Sequence, residues 1–168
     1  TPPPIAEVML AEAQAITAAA QRLDVTHAQR AVDMLVACTG KVLVTGVGKS
    51  GLVAQKIAAS LTSVGLMSVY LNPLDALHGD IGVVRDGDVI IMISNSGETT
   101  ELLAVIPYVK KRDVQLLGIL GKTKSAIGQR CDLALDASVE REASPIDQVP
   151  TSSTAVAMAI GDALTVAW

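Results

Sequence analysis

A short hydroxyl-rich segment, Ser94-Asn-Ser-Gly-Glu-Thr99, carries residue types that can bind a compact anion. Ser94, Ser96 and Thr99 supply three hydroxyls in front of a helical pattern, and Gly97 permits a tight turn between them. The first N–H groups of a helix have no intrahelical partner, and the helix dipole favours an anion beside them. Plain helix capping is the alternative, but a cap needs only one such hydroxyl, so the count of three favours a phosphate ester.

A second glycine loop, Gly46-Val-Gly-Lys-Ser-Gly51, follows a short run of β-branched residues. It lacks the first glycine of an ATPase-type phosphate loop, because Leu43 stands at that position. Its glycines match the dinucleotide-binding spacing, but the acid expected about 20 residues later is missing, so we expect no nucleotide cofactor. If Ser50 meets a phosphate, Lys49 faces the mouth of the loop and could stabilise an oxyanion. The alternative is a solvated loop lysine.

Several titratable side chains could transfer protons near these loops. His78 lies in an irregular segment beside Gly79 and Asp80, a setting that suits acid–base chemistry. Glu101 falls in the first turn of the helix that follows the hydroxyl-rich segment. Glu98 lies three residues earlier, on the same predicted flank, and we assign it to the favourable charge at a helix start.

An acidic pair, Glu140 and Glu142, flanks Arg141 after the last predicted strand. An extended segment would place both carboxylates on one face, where one of them could act as a base. A solvated surface cluster of charges is the alternative interpretation.

The pattern of apolar runs predicts the strands that position these groups. Five short runs rich in Val, Ile and Leu alternate with helical stretches, which is typical of parallel β-α-β units in one sheet. The predicted strands are residues 41–45, 68–71, 89–93, 115–120 and 133–135. Both glycine loops then follow the carboxyl ends of strands, where this class binds its ligands. We predict an α/β fold, a three-layer α-β-α sandwich on a five-stranded parallel sheet, Rossmann-like or flavodoxin-like.

Helices are predicted on both sides of these strands. Two of them precede the first strand, over residues 5–23 and 26–38, and Thr26 and Gln29 match a capping box with Thr26 as N-cap. Later helices are expected after each glycine loop, near Ser125, and from the hydroxyl cluster at 151–154. We expect an N-terminal helical segment over residues 1–39 and a ligand-binding domain over 40–168, which together form one globular domain.

Composition excludes several other classes of protein. The 168 residues carry a net charge of −4 with dispersed basic residues, and only 2% are aromatic, which argues against nucleic-acid binding. Cys38 and Cys131 show neither metal-ligand spacing nor a disulfide framework, so we expect no metal and a reducing, cytoplasmic compartment. The longest uncharged stretch, residues 57–74, is broken by polar residues, Gly and Pro, and predicts no membrane span.

A homo-oligomer is expected from the same composition. The opening helix is rich in Ala, and the mean hydropathy of the chain is +0.45. Both features imply more apolar surface than a monomer of this size can hide.

The order of the motifs resembles that of a known family, the sugar isomerase (SIS) domain, and within it the arabinose 5-phosphate isomerases. The matching segments are Gly46-Val-Gly-Lys-Ser-Gly51, His78-Gly-Asp-Ile-Gly82, Ser94-Asn-Ser-Gly-Glu-Thr99, Glu140-Arg-Glu-Ala-Ser-Pro145, Thr151-Ser-Ser-Thr154 and Gly161-Asp-Ala163. The hydroxyl-rich segment marks SIS domains broadly, whereas the segments around Lys49, His78 and Glu142 indicate the subfamily. The resemblance extends from about Gly40 to Ala167.

The resemblance implies an enzyme, an aldose–ketose isomerase that interconverts D-arabinose 5-phosphate and D-ribulose 5-phosphate through an enediol and feeds the synthesis of Kdo. It also implies no cofactor and a homotetramer. By resemblance, the active-site set is Lys49, His78, Glu101 and Glu142, the phosphate is held by Ser50, Ser94, Asn95, Ser96 and Thr99, and the backbone at Gly48 and Gly97 shapes the loops. Glu142 stands in the matching segment and is therefore the candidate base.

The resemblance also leaves alternatives open. A non-catalytic, regulatory SIS domain would bind a phosphosugar without chemistry, and a related isomerase would act on another phosphosugar. Family members carry a further active-site His after the last helix, and many carry a C-terminal pair of CBS modules. This sequence contains neither, so these 168 residues alone could form a core without activity.

Overall fold

The computed structural model describes residues 4–145 and 149–168. The helices are α1 (Ile5–Arg22), α2 (Val25–Val36), α3 (Lys49–Ser63), α4 (Pro73–Ala76), α5 (Thr100–Val109) and α6 (Ser152–Ala167). The strands are β1 (Val42–Gly46), β2 (Ser68–Tyr70), β3 (Val89–Ser94), β4 (Gln115–Leu120) and β5 (Leu133–Asp136). Two short 3-10 turns complete the described elements, at Asp80–Val83 and Gly128–Arg130.

The five strands form one sheet in the order β2-β1-β3-β4-β5, and every neighbouring pair is parallel. This arrangement confirms the predicted five-stranded parallel sheet. All residues of β1 and β3 are buried, as expected for strands covered by helices on both faces. The chain leaves β1 towards β2 and then crosses back to β3, so a crevice opens where the order reverses, at the carboxyl ends of β1 and β3.

Two apolar layers cover the two faces of the sheet. One layer packs α1, α2, α3 and α6 on the face that carries Val44 and Ile91, and the other packs α4 and α5 on the face that carries Leu43 and Met92. Neighbouring strand residues alternate between the layers because side chains of a strand point to opposite faces. The N-terminal helices therefore share a core with the sheet.

The start of α2 differs from the predicted capping box. The N-cap is Asp24, whose carboxylate accepts a hydrogen bond from His27 N at 2.9 Å, and Thr26 lies inside the helix. The bond from His27 lowers the pKa of Asp24, because it stabilises the charged form. An ionised Asp is a strong N-cap, so it takes the position ahead of the Thr.

Three helix predictions also need correction in their extent. The second helix ends at Val36 instead of near Cys38. The helix expected near Ser125 is only the 3-10 turn Gly128–Arg130. The helix after the hydroxyl-rich segment, whose sequence pattern predicts an end at Lys111, begins at Thr100 and ends at Val109, with Thr99 as its N-cap. Within the described residues, no helix is both long and apolar enough to cross a bilayer.

Two helices start beside the crevice and are packed closely together. A Cβ on Gly161 of α6 would overlap the side chain of Ile57 in α3, so the glycine allows the close approach of the two helices. This contact places the first turns of α3 and α6 on the same side of the carboxyl edge of the sheet.

Candidate functional site

A cavity of about 180 Å³ lies in the crevice at the carboxyl ends of β1, β3 and β4. Its walls come from the loop after β1, the end of β3, the residue after β4 and the first turn of α6. The polar residues that line it are Lys49, Ser50, Ser94, Asn95, Ser153 and Thr154. This is the position that the strand order predicts for a ligand.

The loop after β1 brings the start of α3 against the end of the strand. A Cβ at Gly46 would lie 2.7 Å from the carbonyl oxygen of Ser50, so only glycine fits that approach. Gly48 is the N-cap of α3 and has a φ of 60°, which favours glycine. The helix then begins with Lys49, whose side chain is exposed and makes no ion pair among the described residues.

Two helix N-termini therefore face the cavity, those of α3 and α6. Their first N–H groups lack intrahelical partners and carry the positive end of the helix dipole. Neither terminus holds an acidic residue in its first turn, but at α6 the N–H groups of Thr151 and Ser153 already donate to the carboxylate of Glu142, so the start of α3 is the terminus open to an anion. Together with the ammonium group of Lys49, this arrangement favours an anion in the cavity.

The hydroxyls of the segment after β3 are used in part to hold its own turn. Ser94 is buried, its Oγ accepts a hydrogen bond from Gly97 N at 2.9 Å, and it lies 2.8 Å from Thr99 Oγ1. Ser96 is exposed, and its Oγ accepts from Glu98 N at 3.1 Å. Of the hydroxyls that the structure describes in this segment, only that of Ser94 lines the cavity. Binding of one phosphate by all three stays a prediction.

The loop after β4 packs against the hydroxyl-rich segment. Gly97 has a φ of 67°, and a Cβ there would overlap Ser125. Glu98 Oε1 accepts a hydrogen bond from Ala126 N at 2.8 Å. The expectation that Glu98 shares a helix flank with Glu101 and serves the helix dipole is therefore wrong. Glu98 precedes α5, and its hydrogen bond with Ala126 N connects the segment after β3 to the loop after β4.

Glu142 lies at the start of α6 and caps that helix. Its Oε2 accepts hydrogen bonds from Thr151 N at 2.9 Å, Thr151 Oγ1 at 3.1 Å and Ser153 N at 3.1 Å. Partial burial of the carboxyl raises its pKa, but the hydrogen bonds with Ser153 and Thr151 outweigh burial and leave the pKa of Glu142 below its ordinary value. In this conformation Glu142 is a weak base that stabilises the helix start.

The structure places two other predicted catalytic residues outside the lining of the cavity. His78 follows α4, its backbone N–H donates to the carbonyl of Asp75 at 2.9 Å, and its side chain is exposed. Glu101 lies half-buried in the first turn of α5. The predicted residues brought together at the cavity are thus Lys49, Ser50, Ser94 and Asn95, whereas Glu142 is not among its lining residues.

Two lining residues, Ser153 and Thr154, were not predicted as site residues. The hydroxyl cluster at 151–154 was predicted as a helix start and as a segment that matches the family, without a site role, although hydroxyls at that position carry the same signal as the segment after β3. Ser153 is buried, and Thr154 Oγ1 donates to the carbonyl of Thr151 at 2.9 Å. In the described part of the chain, no group of His, Cys, Asp and Glu is arranged to hold a metal ion.

Known proteins with the same architecture identify the fold and its relatives. The SIS domain matches residues 35–167. An arabinose 5-phosphate isomerase GutQ of Salmonella typhi is 45% identical over 82% of this chain and 43% of its own length. An arabinose 5-phosphate isomerase KdsD of Pseudomonas aeruginosa is 42% identical over 82% of this chain and 42% of its own. This chain therefore spans less than half the length of these relatives.

A solved structure shows the same three-dimensional arrangement. The protein c3406 of Escherichia coli CFT073, in complex with arabinose 5-phosphate, superposes with a TM-score of 0.92 at 36% identity, covering 97% of this chain and 86% of that one. Fold, motif order and sequence identity agree. The chain belongs to the SIS domain family.

Proposed function

We propose that this chain is the catalytic domain of a phosphosugar isomerase that interconverts D-arabinose 5-phosphate and D-ribulose 5-phosphate. The observation that carries the proposal is the cavity at the starts of α3 and α6, which combines Lys49 with the hydroxyls of Ser50 and Ser94. The N-terminus of α3 and these hydroxyls suit a monophosphate. Relatives at 42–45% identity are arabinose 5-phosphate isomerases, and c3406 binds arabinose 5-phosphate, which supports the choice of sugar.

The reaction moves a proton between C1 and C2 of the sugar through an enediol. Lys49 lies at the mouth of the phosphate cavity, so its ammonium group can stabilise negative charge on the sugar oxygens as the enediolate forms. A carboxylate must accept the proton from carbon. Glu142 and Glu101 are the two candidates, and Glu142 would have to exchange part of its cap on α6 for the substrate before it could act. His78 is proposed as an acid–base group at the oxygens.

Assembly and pathway follow from the same proposal. The exposed apolar side chains of α1, among them Ile5, Met9 and Leu10, support a homo-oligomer, which for this family is a tetramer. D-Arabinose 5-phosphate would supply Kdo synthesis in the cytoplasm. Light scattering that finds a monomer at micromolar concentration would contradict the assembly.

A second function, phosphosugar binding without chemistry, is favoured by one observation. His78 and Glu101 lie outside the cavity lining, and Glu142 is engaged in a helix cap. A regulatory domain needs the phosphate site alone. Turnover separates the two functions, because a binding domain retains affinity for the sugar phosphate and shows no isomerisation.

The test uses the complete natural protein and a panel of aldose phosphates in a coupled assay. Lys49→Gln should lower turnover of D-arabinose 5-phosphate by about 10²-fold, the usual loss when one oxyanion donor is removed. Lys56→Gln is the matched control. It removes a lysine from the same helix, where the side chain is exposed and pairs with Asp162, and should leave turnover unchanged. Equal effects of the two variants would contradict the role of Lys49.

The proton acceptor is tested by isotope exchange at C2. Glu142→Gln should reduce exchange far more than it weakens phosphate binding, because the base acts only in the transition state. Normal exchange in Glu142→Gln would transfer the role to Glu101. Normal exchange in both Glu142→Gln and Glu101→Gln would refute a carboxylate base.

A further inference from the structure

A second cavity, of about 400 Å³, adjoins the first where α1, α3 and α6 meet. The two cavities share Lys49, Val53, Pro150 and Thr154, so they form one continuous depression. The second cavity adds one acidic residue, Glu12, which comes from the middle of α1. No other acidic residue lines either cavity among the described residues. The N-terminal helix thus contributes a carboxylate next to the proposed phosphate site.

The surroundings of Glu12 set it apart from an ordinary surface carboxylate. Its side chain is half-buried beside Leu52, Ala155 and Met158, and it forms no hydrogen bond or ion pair among the described residues. A carboxylate oxygen in this position can accept hydrogen bonds from a ligand in the cavity. Glu7, on the same helix, is exposed and lines neither cavity.

The chemistry of the two cavities differs in a way that orients a ligand. The first cavity has the N-terminus of α3, the ammonium group of Lys49 and hydroxyls, which suit a phosphate, and the carboxylate of the second repels one. A carboxylate is an acceptor-only group, and the hydroxyls of a sugar chain are donors that match it. Lys49 lines both cavities, so its side chain would lie beside the polyol chain if the phosphate occupied the first cavity and the chain extended into the second.

We propose that Glu12 is a substrate-binding residue whose carboxylate accepts hydrogen bonds from hydroxyl groups of the sugar chain while the phosphate occupies the first cavity. The proposal rests on the proposed function, since it takes a phosphosugar as the ligand. Under this proposal α1 is part of the binding site. The positions of the sugar hydroxyls, as well as the phosphate, then determine which sugar binds.

Calorimetric titration of the complete natural protein with D-arabinose 5-phosphate and with inorganic phosphate tests this role without requiring turnover. Glu12→Gln should weaken binding of the sugar phosphate about tenfold, the loss expected for a hydrogen bond to a charged group. Binding of inorganic phosphate should not weaken, because the charge that is removed repels it. The matched control Glu7→Gln makes the same charge change on the same helix and should alter neither affinity.

Each outcome decides the proposal. Sugar-phosphate affinity within about twofold of wild type in Glu12→Gln would overturn it, and so would an equal loss of affinity for both ligands, which would mean a general disturbance of the site. A wild-type protein that binds the sugar phosphate without isomerising it would refute the isomerase, yet the affinity ratio would still support or overturn Glu12. A wild-type protein that binds no phosphosugar would overturn both.

Discussion

Replacing Glu142 by Gln should destabilise the protein by about 1–2 kcal/mol at neutral pH, because it weakens the cap on α6. One carboxylate oxygen accepts three hydrogen bonds, of 2.9, 3.1 and 3.1 Å, and two of their donors are backbone N–H groups at the helix start. A full negative charge is favoured there by the helix dipole. Gln keeps an acceptor oxygen but loses the charge, so we expect Glu142→Ala to cost more.

The loss of unfolding free energy in Glu142→Gln should become smaller as the pH falls. The pKa of Glu142 is lower in the folded protein than its ordinary value of 4.5, because hydrogen bonds stabilise the ionised form. The stabilisation is therefore fully present above the pKa of the unfolded chain and is lost as the pH falls through the lower folded value. The difference in unfolding free energy between wild type and Glu142→Gln should be constant near neutrality and shrink under acid conditions.

Urea denaturation followed by circular dichroism, at one protein concentration and several pH values, measures this difference. The matched control is Glu140→Gln, which makes the same change at an exposed carboxylate two residues earlier. We expect the control to stay within about 0.5 kcal/mol of wild type. The reasoning would be refuted if the two variants were equally stable at neutral pH, or if the loss in Glu142→Gln persisted unchanged in acid.

The same denaturation assay tests three further substitutions, in a turn, in a helix–helix contact and in a surface ion pair. Gly97→Ala should lower the free energy of unfolding by about 2 kcal/mol or more and weaken phosphate binding, because the left-handed backbone at Gly97 and the neighbouring Ser125 exclude a side chain. A variant as stable as wild type would refute this. Gly161→Ala should cost about 1–3 kcal/mol, since Ile57 must move, and an unchanged midpoint would show that the two helices separate freely. Arg22→Ala, at the end of α1 and outside the cavity lining, removes an exposed ion pair with Asp136 and two hydrogen bonds to Ser138 and should cost less than about 1 kcal/mol, so a larger loss would contradict its surface character.

Much of the fold could be predicted from local patterns in the sequence. The apolar run at Gln115–Leu120 was predicted with its observed bounds, and the runs that begin near Val42, Ser68 and Val89 were displaced by at most one residue at either end. Strands β1, β3 and β4 are buried on both faces or nearly so, which requires continuous apolar runs that are visible in the sequence, whereas β2 is a short edge strand with Val69 exposed. Because the strands alternate with helices, the parallel sheet and a crevice at its carboxyl edge follow.

The candidate site could be predicted only in part. The glycine loops carry Lys49 and Ser94 to the ends of neighbouring strands, so both were expected at the crevice, and both line its cavity. The hydrogen-bond partners of the acidic residues could not be predicted from local patterns. Glu98 and Glu142 have ordinary local surroundings in the sequence, and their partners lie 28 and 9 residues away.

The sequence by itself thus determined the strands, their parallel connection and the glycine loops at their ends, because periodicity and turn residues act over a few neighbouring positions. Only the tertiary structure decided which carboxylates are engaged and which face the cavity. Glu142 caps α6, whereas Glu12 reaches the site because α1 packs against α6. The physical reason is that a carboxylate's charge state and partners depend on groups that the packing of helices brings within a few ångströms, and no local pattern in the sequence records that distance.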